Sequence, residues 1–145
     1  MNGPFVFDTE AVIAFLYDEP GHERVAELLD PIFESDEPGF VEATNVSEVF
    51  YLVARFEGAD GSPTDESLRV ADRDVRALER RGVTIDRADW RLVGEIKAGG
   101  HISLADAHAV ALAAEKDATL VAGGDDDFDS LPIDVRIERF RDGSV

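Results

Sequence analysis

Short apolar runs alternate with longer segments of helical periodicity along this chain. The runs predict strands at residues 5–7, 40–41, 83–85, 119–122 and 134–140. Apolar residues spaced three and four apart predict helices over residues 9–17, 22–33, 44–56, 63–81, 89–98 and 104–115. Pro31 is expected to bend or end the second helix, because proline removes a backbone donor.

This alternation predicts a single α/β domain over residues 1–145, with a parallel sheet that helices cover on both faces. The segment 104–115 is rich in alanine and apolar on most sides, which is typical of a central helix surrounded by other elements. Ligands of such sheets bind beyond the carboxyl ends of the strands. Asp8 and the loop 123–127 each follow a predicted strand, so we expect them at that edge.

Composition supports one folded domain and excludes several other classes. With 145 residues, 44% of them hydrophobic, the chain can bury about 70% of the surface that it exposes when unfolded. Cysteine is absent, which excludes disulfide and thiolate chemistry. No apolar run approaches the roughly 18 residues of a membrane span, and no basic segment precedes an apolar core at the N-terminus. We therefore expect a cytoplasmic protein that has no membrane partner.

The charge is strongly negative and is spread along the chain. Fourteen basic and 32 acidic residues give 14 − 32 = −18, and the pI is about 4.3. Only two of the basic residues are lysines, Lys97 and Lys116. This composition favours a halophilic surface over an ordinary acidic one, and predicts loss of structure at low ionic strength. A nucleic-acid role would require a divalent metal or a local basic strip, because the net charge repels phosphate.

The candidate basic strip is a set of arginines on one face of the fourth predicted helix: Arg69, Arg73, Arg76 and Arg80. Such a face suits the phosphates of a nucleic acid. Local pairing is the favoured interpretation, because Asp65 and Asp72 each lie four residues before an arginine.

Three acids at the openings of predicted helices each have a purely local interpretation. Asp8 can cap the helix that follows it. Glu48 can reach back to Asn45 in a capping box. Asp106 can favour the positive end of a helix that Ser103 caps, although it is the only charge in an apolar segment and needs a partner if buried.

A fourth acidic position follows the predicted strand 119–122. Asp125, Asp126 and Asp127 are adjacent and repel one another, so they form either a solvated turn or part of a cation site. Together, the four positions provide oxygen ligands without histidine or cysteine, which select Mg²⁺ or Mn²⁺ over zinc. Such a cluster can polarise a phosphate and activate a water for hydrolysis. The motifs of serine hydrolases and P-loop proteins are absent.

The ordered set of motifs resembles the PIN domain, and more closely the VapC ribonuclease toxins of type II toxin–antitoxin pairs. The segments that carry this resemblance are 6–9 (VFDT), 46–49 (VSEV), 103–107 (SLADA) and 120–128 (LVAGGDDDF). The resemblance implies a parallel sheet flanked by helices and Mg²⁺- or Mn²⁺-dependent cleavage of RNA. It also implies a VapB-like antitoxin as partner, and a homodimer.

The resemblance assigns roles to individual residues of this chain. Asp8, Glu48 and Asp106 match the first, second and third acids of the family, and Thr9 matches the hydroxyl residue after the first acid. By analogy, Asp8 and Asp106 would hold the principal ion. Glu48 would complete the site, directly or through water, for an in-line attack on RNA.

The fourth acid has two candidates. The family usually has threonine at the position of Ala122, and the Gly123-Gly124 pair lengthens the approach by one residue. Alignment on Phe128 selects Asp125 as the fourth ligand, with Asp127 as the alternative.

Three other functions remain compatible with the sequence. The first is a PIN-domain nuclease of RNA processing that has no antitoxin. The second is a receiver-like signalling module, which would need paired acids after the first strand, whereas the chain has Asp8-Thr9-Glu10. The third is a PIN fold that binds a metal and partners without catalysis.

Overall fold

Strands and helices alternate in the structure as the hydrophobic pattern predicts. The computed structural model describes residues 3–123 and 128–141. Within these ranges the strands are β1 (Phe5–Phe7), β2 (Gly39–Glu42), β3 (Thr84–Asp86), β4 (Thr119–Ala122) and β5 (Arg136–Arg139). The helices are α1 (Thr9–Tyr17), α2 (His22–Ser35), α3 (Ala43–Phe56), α4 (Asp65–Arg80), α5 (Trp90–Gly99) and α6 (Leu104–Glu115).

The strands form one parallel sheet in the order β3-β2-β1-β4-β5. The chain leaves β1 toward β2 on one side and later returns to it through β4 on the other side. The strand order therefore reverses between β1 and β4, and a crevice for ligands forms at such a point in open α/β sheets. Phe7 pairs with Val121, so Asp8 and the residues after β4 share the carboxyl edge of the sheet.

Each face of the sheet has its own hydrophobic core, because successive side chains of a strand point to opposite faces. Phe5 and Phe7 pack against residues of α1 to α4, whereas Val6 packs against α5 and α6. The residues of α6 are buried on most sides. This arrangement confirms the predicted α/β fold, a parallel sheet with helices on both faces.

Several element boundaries differ by one or two residues from the predicted ones, among them the end of α2 and both ends of β5. α2 continues through Pro31 to Ser35, and Ile32, which follows the proline, is buried in the core. Packing of that side chain offsets the backbone hydrogen bond that proline removes. β5 covers only Arg136–Arg139, because its pairing with β4 lasts no longer than the four residues of β4.

The start of α3 differs from the predicted capping box at Asn45. The helix begins at Ala43, because the carboxylate of Glu42 accepts a hydrogen bond from the backbone N–H of Thr44 and caps the helix. Asn45 therefore lies inside the helix, and the capping box predicted from Asn45 to Glu48 is wrong.

Three of the four arginines of the predicted strip, Arg69, Arg73 and Arg76, lie within ion-pair distance of acids of α4 itself. Arg76 binds Asp72 at 3.0 Å, as predicted, whereas Arg69 binds Glu66 at 2.9 Å and not Asp65. Local neutralisation makes this face a poor strip for phosphates.

Among the described helices, none combines the length and the apolarity that a bilayer crossing requires.

Candidate functional site

Asp8 occupies the point where the strand order reverses. Its backbone N–H donates to Val121 O at 3.0 Å, which extends the β1–β4 ladder by one residue. Its carboxylate accepts the backbone N–H of Ala11 at 2.8 Å and thereby caps α1, so the local interpretation is confirmed. A second backbone N–H, that of Gly123, also bonds to the carboxylate. These donors hold the carboxylate of Asp8, a residue only 2% exposed, at the switch point between β1 and β4, where a ligand crevice is expected.

The electrostatic environment of Asp8 is unfavourable to its charge. The pKa of Asp8 is raised to about 8, mainly by burial and also by the charges of Glu10 and Asp106, while the N–H donors of Ala11 and Gly123 act in the opposite direction. A buried carboxylate beside two other acids needs a compensating positive charge. A hard divalent cation would supply that charge.

Asp106 reaches the same crevice from the other face of the sheet. It lies in the first turn of α6, where its backbone N–H donates to Ser103 Oγ at 3.1 Å, so the predicted Ser103 cap is confirmed. Its side chain is partly exposed and lies near enough to Asp8 to raise the pKa of that carboxyl. The structure therefore brings the first and third predicted acids together.

Glu48 is tied to the residue that follows Asp8. The Thr9 hydroxyl donates to Glu48 Oε1 at 2.5 Å, across 39 positions of sequence. The Glu48 carboxylate is therefore held next to the residue that follows Asp8, and it is not part of a helix cap.

Asn45 is a buried polar residue of the site that the sequence interpretation missed. Its Nδ2 donates to Thr9 Oγ1 at 3.1 Å and approaches Ala105 O at 3.4 Å. A sequence signal existed, because Asn45, Val49 and Val53 lie four residues apart on one helical stripe, and all three are buried. A polar residue on such an apolar stripe indicates a specific partner.

Glu42 is a second buried acid at the carboxyl edge, and its role is structural. Besides capping α3, it accepts the backbone N–H of Ala88 at 2.9 Å and so anchors the segment after β3. Both of its oxygens are engaged by backbone donors, so it does not extend the candidate site.

Side chains from β5 and its extension hold the rim near β4. Arg141 binds Glu10 at 2.9 Å, and the Glu10 carboxylate lies in the space that a side chain at position 123 would need. Arg139 donates to Gly123 O at 3.3 Å and to Asp129 at 2.6 Å. Together, these ion pairs and the hydrogen bond from Arg139 hold Gly123, the first residue after β4, beside Asp8.

The donor set fits a hard cation but is incomplete within the described residues. No group of three or more histidine, cysteine, aspartate or glutamate side chains there is arranged as a metal site. Asp125 and Asp127, the candidates for the fourth acid, lie outside residues 3–123 and 128–141. The available donors are all oxygens, as Mg²⁺ and Mn²⁺ prefer.

Comparison with known families gives one match, which covers most of the chain. The family model for the PIN domain matches residues 5–133. A search among curated protein sequences finds no significant match.

Solved structures of similar fold include several toxin–antitoxin proteins. VapBC2 from Rickettsia felis, bound to a promoter DNA fragment, matches with a TM-score of 0.68 at 15% identity, over 93% of this chain and 97% of that chain. FitAcB from Neisseria gonorrhoeae matches with a TM-score of 0.62 at 22% identity, over 94% and 98%. VapC20 from Mycobacterium tuberculosis, a Sarcin-Ricin loop cleaving toxin, matches with a TM-score of 0.60 at 16% identity, over 92% and 99%. At these identities the likeness shows a shared fold.

Proposed function

Because this chain belongs to the PIN domain family, as the match over residues 5–133 shows, we propose that it is a divalent-metal-dependent endoribonuclease. We further propose that it is the toxin of a VapBC-type pair and acts on RNA in the cytoplasm. The observation that carries the proposal is Asp8, a buried carboxylate held at the switch point of the sheet with Asp106 beside it.

The residues of the chain have distinct roles in this proposal. Asp8 and Asp106 would hold Mg²⁺ or Mn²⁺, and Asp8 is kept in one orientation by the N–H groups of Ala11 and Gly123. Glu48, oriented by the Thr9 hydroxyl, would complete the ligand set directly or through water. The bound cation would supply Lewis-acid chemistry, polarising the phosphodiester and making a water more acidic.

The fourth ligand in this proposal comes from the loop after β4. Asp125 is the first candidate and Asp127 the alternative. Gly123, which precedes them, is held beside Asp8 by backbone and arginine contacts. The described residue that precedes both candidates, Gly123, therefore lies beside Asp8, which supports a ligand from either position.

The proposed partners are an RNA substrate, a VapB-like antitoxin and a second copy of the chain in a homodimer. The antitoxin proposal is supported by the structural neighbours, which include VapBC2 and FitAcB. The RNA proposal is supported by VapC20, which is a Sarcin-Ricin loop cleaving toxin.

Asp8→Asn and Asp106→Asn test the proposed cleavage. Each variant should cut a structured RNA in Mn²⁺ and molar KCl about 100-fold or more slowly than wild type, because it removes one anionic ligand. Cleavage is measured on purified protein, with circular dichroism to confirm the fold.

Asp117→Asn is the matched control. Asp117 follows α6 at the end opposite Asp106, and its carboxylate is 94% exposed. This control should cleave at the wild-type rate. Wild-type rates in both Asp8→Asn and Asp106→Asn would show that the site is wrong.

A growth assay distinguishes a toxin from a processing nuclease. The chain is expressed without the neighbouring gene that would encode its antitoxin. A toxin should arrest growth under this condition, and Asp8→Asn should relieve the arrest.

A further inference from the structure

Asn45 is a fully buried amide within α3, about one turn before Glu48. Its Nδ2 donates to Thr9 Oγ1 at 3.1 Å and makes a longer contact of 3.4 Å with the backbone oxygen of Ala105. The amide orientation follows from these partners, because a backbone carbonyl can only accept. Asn45 therefore joins α3 both to α1 and to α6.

Each of the three joined helices carries an acid of the candidate site. Asp8 caps α1, Glu48 lies on α3, and Asp106 lies in the first turn of α6. The amide contacts Thr9, the residue after Asp8, and the carbonyl directly before Asp106. One neutral side chain thus spans the elements that bring the acids together.

The amide also determines the direction of the Thr9 hydroxyl. Because Asn45 donates to Oγ1, the hydroxyl proton is left for Glu48 Oε1, which lies 2.5 Å away. The carboxylate of Glu48 is therefore held by an oriented donor.

Packing alone does not explain an amide at this position. Val49 and Val53 occupy the same buried stripe of α3, and valine at position 45 would continue it. Among the described residues, Asn45 Oδ1 has no hydrogen-bond partner. A buried acceptor without a partner opposes folding, so the benefit of the amide must come from the groups that its Nδ2 holds.

We propose that Asn45 is a positioning residue, whose amide holds α1, α3 and α6 so that Asp8 and Asp106 can bind one divalent cation, with Glu48 acting on it directly or through water. This inference rests on the proposed function. The hydrogen bonds of this neutral amide hold the three helices at a fixed spacing whether or not a cation is bound.

Asn45→Val and Asn45→Ser test this role through Mn²⁺ binding, metal-free thermal stability and cleavage kinetics. Both should raise the Kd for Mn²⁺ about 10–100-fold, as loss of a supporting contact to metal ligands does. Both should lower kcat at saturating metal, with little change in the KM for RNA. The metal-free midpoint of Asn45→Val should equal or exceed that of wild type, because the unpartnered acceptor is gone. A purely structural role would lower the midpoint and leave the Kd unchanged.

Ser67→Ala is the matched control for loss of a buried, hydrogen-bonded side chain. Ser67 is fully buried and bonds with Thr64 in the capping box of α4, which carries none of the site's acids. This variant should lose stability and retain the wild-type Kd for Mn²⁺. Wild-type Mn²⁺ affinity in both Asn45 variants, or failure of both to fold, would overturn the positioning role. Failure of wild type to bind Mn²⁺ would overturn the proposed function, and the positioning role with it.

Discussion

Asp8 combines a structural role with the proposed chemical one. Its carboxylate caps α1 through the N–H of Ala11, and it is also the most deeply buried of the described candidate acids. An asparagine side chain keeps a cap oxygen but has no charge, whereas alanine loses both. The two substitutions therefore separate the stability of the helix from the binding of a cation.

Without metal, Asp8→Asn should be at least as stable as wild type, because it keeps a cap oxygen and has no carboxyl group whose ionisation burial opposes. Asp8→Ala should be less stable than Asp8→Asn by about 1 kcal/mol. Mn²⁺ should stabilise wild type, by about 2.7 kcal/mol at 100 times its Kd, and neither variant. Thermal unfolding with and without Mn²⁺ measures all three quantities.

Asp89→Ala provides the comparison for loss of a cap elsewhere. Asp89 caps α5 through the N–H of Leu92 at 3.3 Å. This variant should lose stability and keep the full Mn²⁺ response. A normal Mn²⁺ response in Asp8→Asn would contradict the assignment of Asp8 as a ligand.

At the scale of elements, close approach of α2 to β2 determines the packing at the amino end of that strand. Gly39, the first residue of β2, faces Ile32 of α2, whose side chain occupies the space that a Cβ at Gly39 would need. Ile32 is 1% exposed, so a Cβ at Gly39 would force its side chain to move within the packed core. The glycine is therefore required by packing and not by backbone conformation.

Gly39→Ala should reduce the free energy of unfolding by about 1–3 kcal/mol, because the added methyl overpacks the core. Gly94→Ala, within α5, is the matched control, since a Cβ there meets no atom within 4 Å. It should raise stability by about 0.5–1 kcal/mol through helix propensity. Equal effects of the two substitutions in chemical denaturation would contradict the packing argument.

At the scale of the whole molecule, the net charge of −18 governs the conditions under which the fold persists. Two arginines of α4 and two near β5 pair with acids, so they neutralise charge locally and leave the overall excess in place; they are Arg69, Arg76, Arg139 and Arg141. Repulsion among the remaining carboxylates extends further as salt is removed, because the Debye length grows from about 3 Å at 1 M to about 10 Å at 0.1 M.

The thermal midpoint should therefore fall on transfer from molar KCl to dilute buffer, with loss of the circular dichroism signal at the lowest ionic strength. Choline chloride at the same ionic strength should restore the signal as well as KCl does, because screening depends on ionic strength. A midpoint that is the same in dilute buffer and in molar KCl would refute the halophilic interpretation.

The sequence by itself determined the alternation of strands and helices and the α/β class. It also predicted the caps at Asp8 and Ser103 correctly, because each depends on neighbours within three residues. It was wrong about the capping box at Asn45. The helix is capped three residues earlier by Glu42, and glutamate is a less typical N-cap residue than asparagine.

Tertiary structure alone decided which residues meet. The hydrogen bond between Thr9 and Glu48 spans 39 positions, and the contact of Asn45 with Ala105 spans 60. Periodicity reports the faces of an element, because side chains recur every 3.6 or 2 residues, but it contains no information on strand order. The order of the strands, with β4 beside β1, brings Asp8 and Asp106 to one crevice, and their mutual repulsion arises only there.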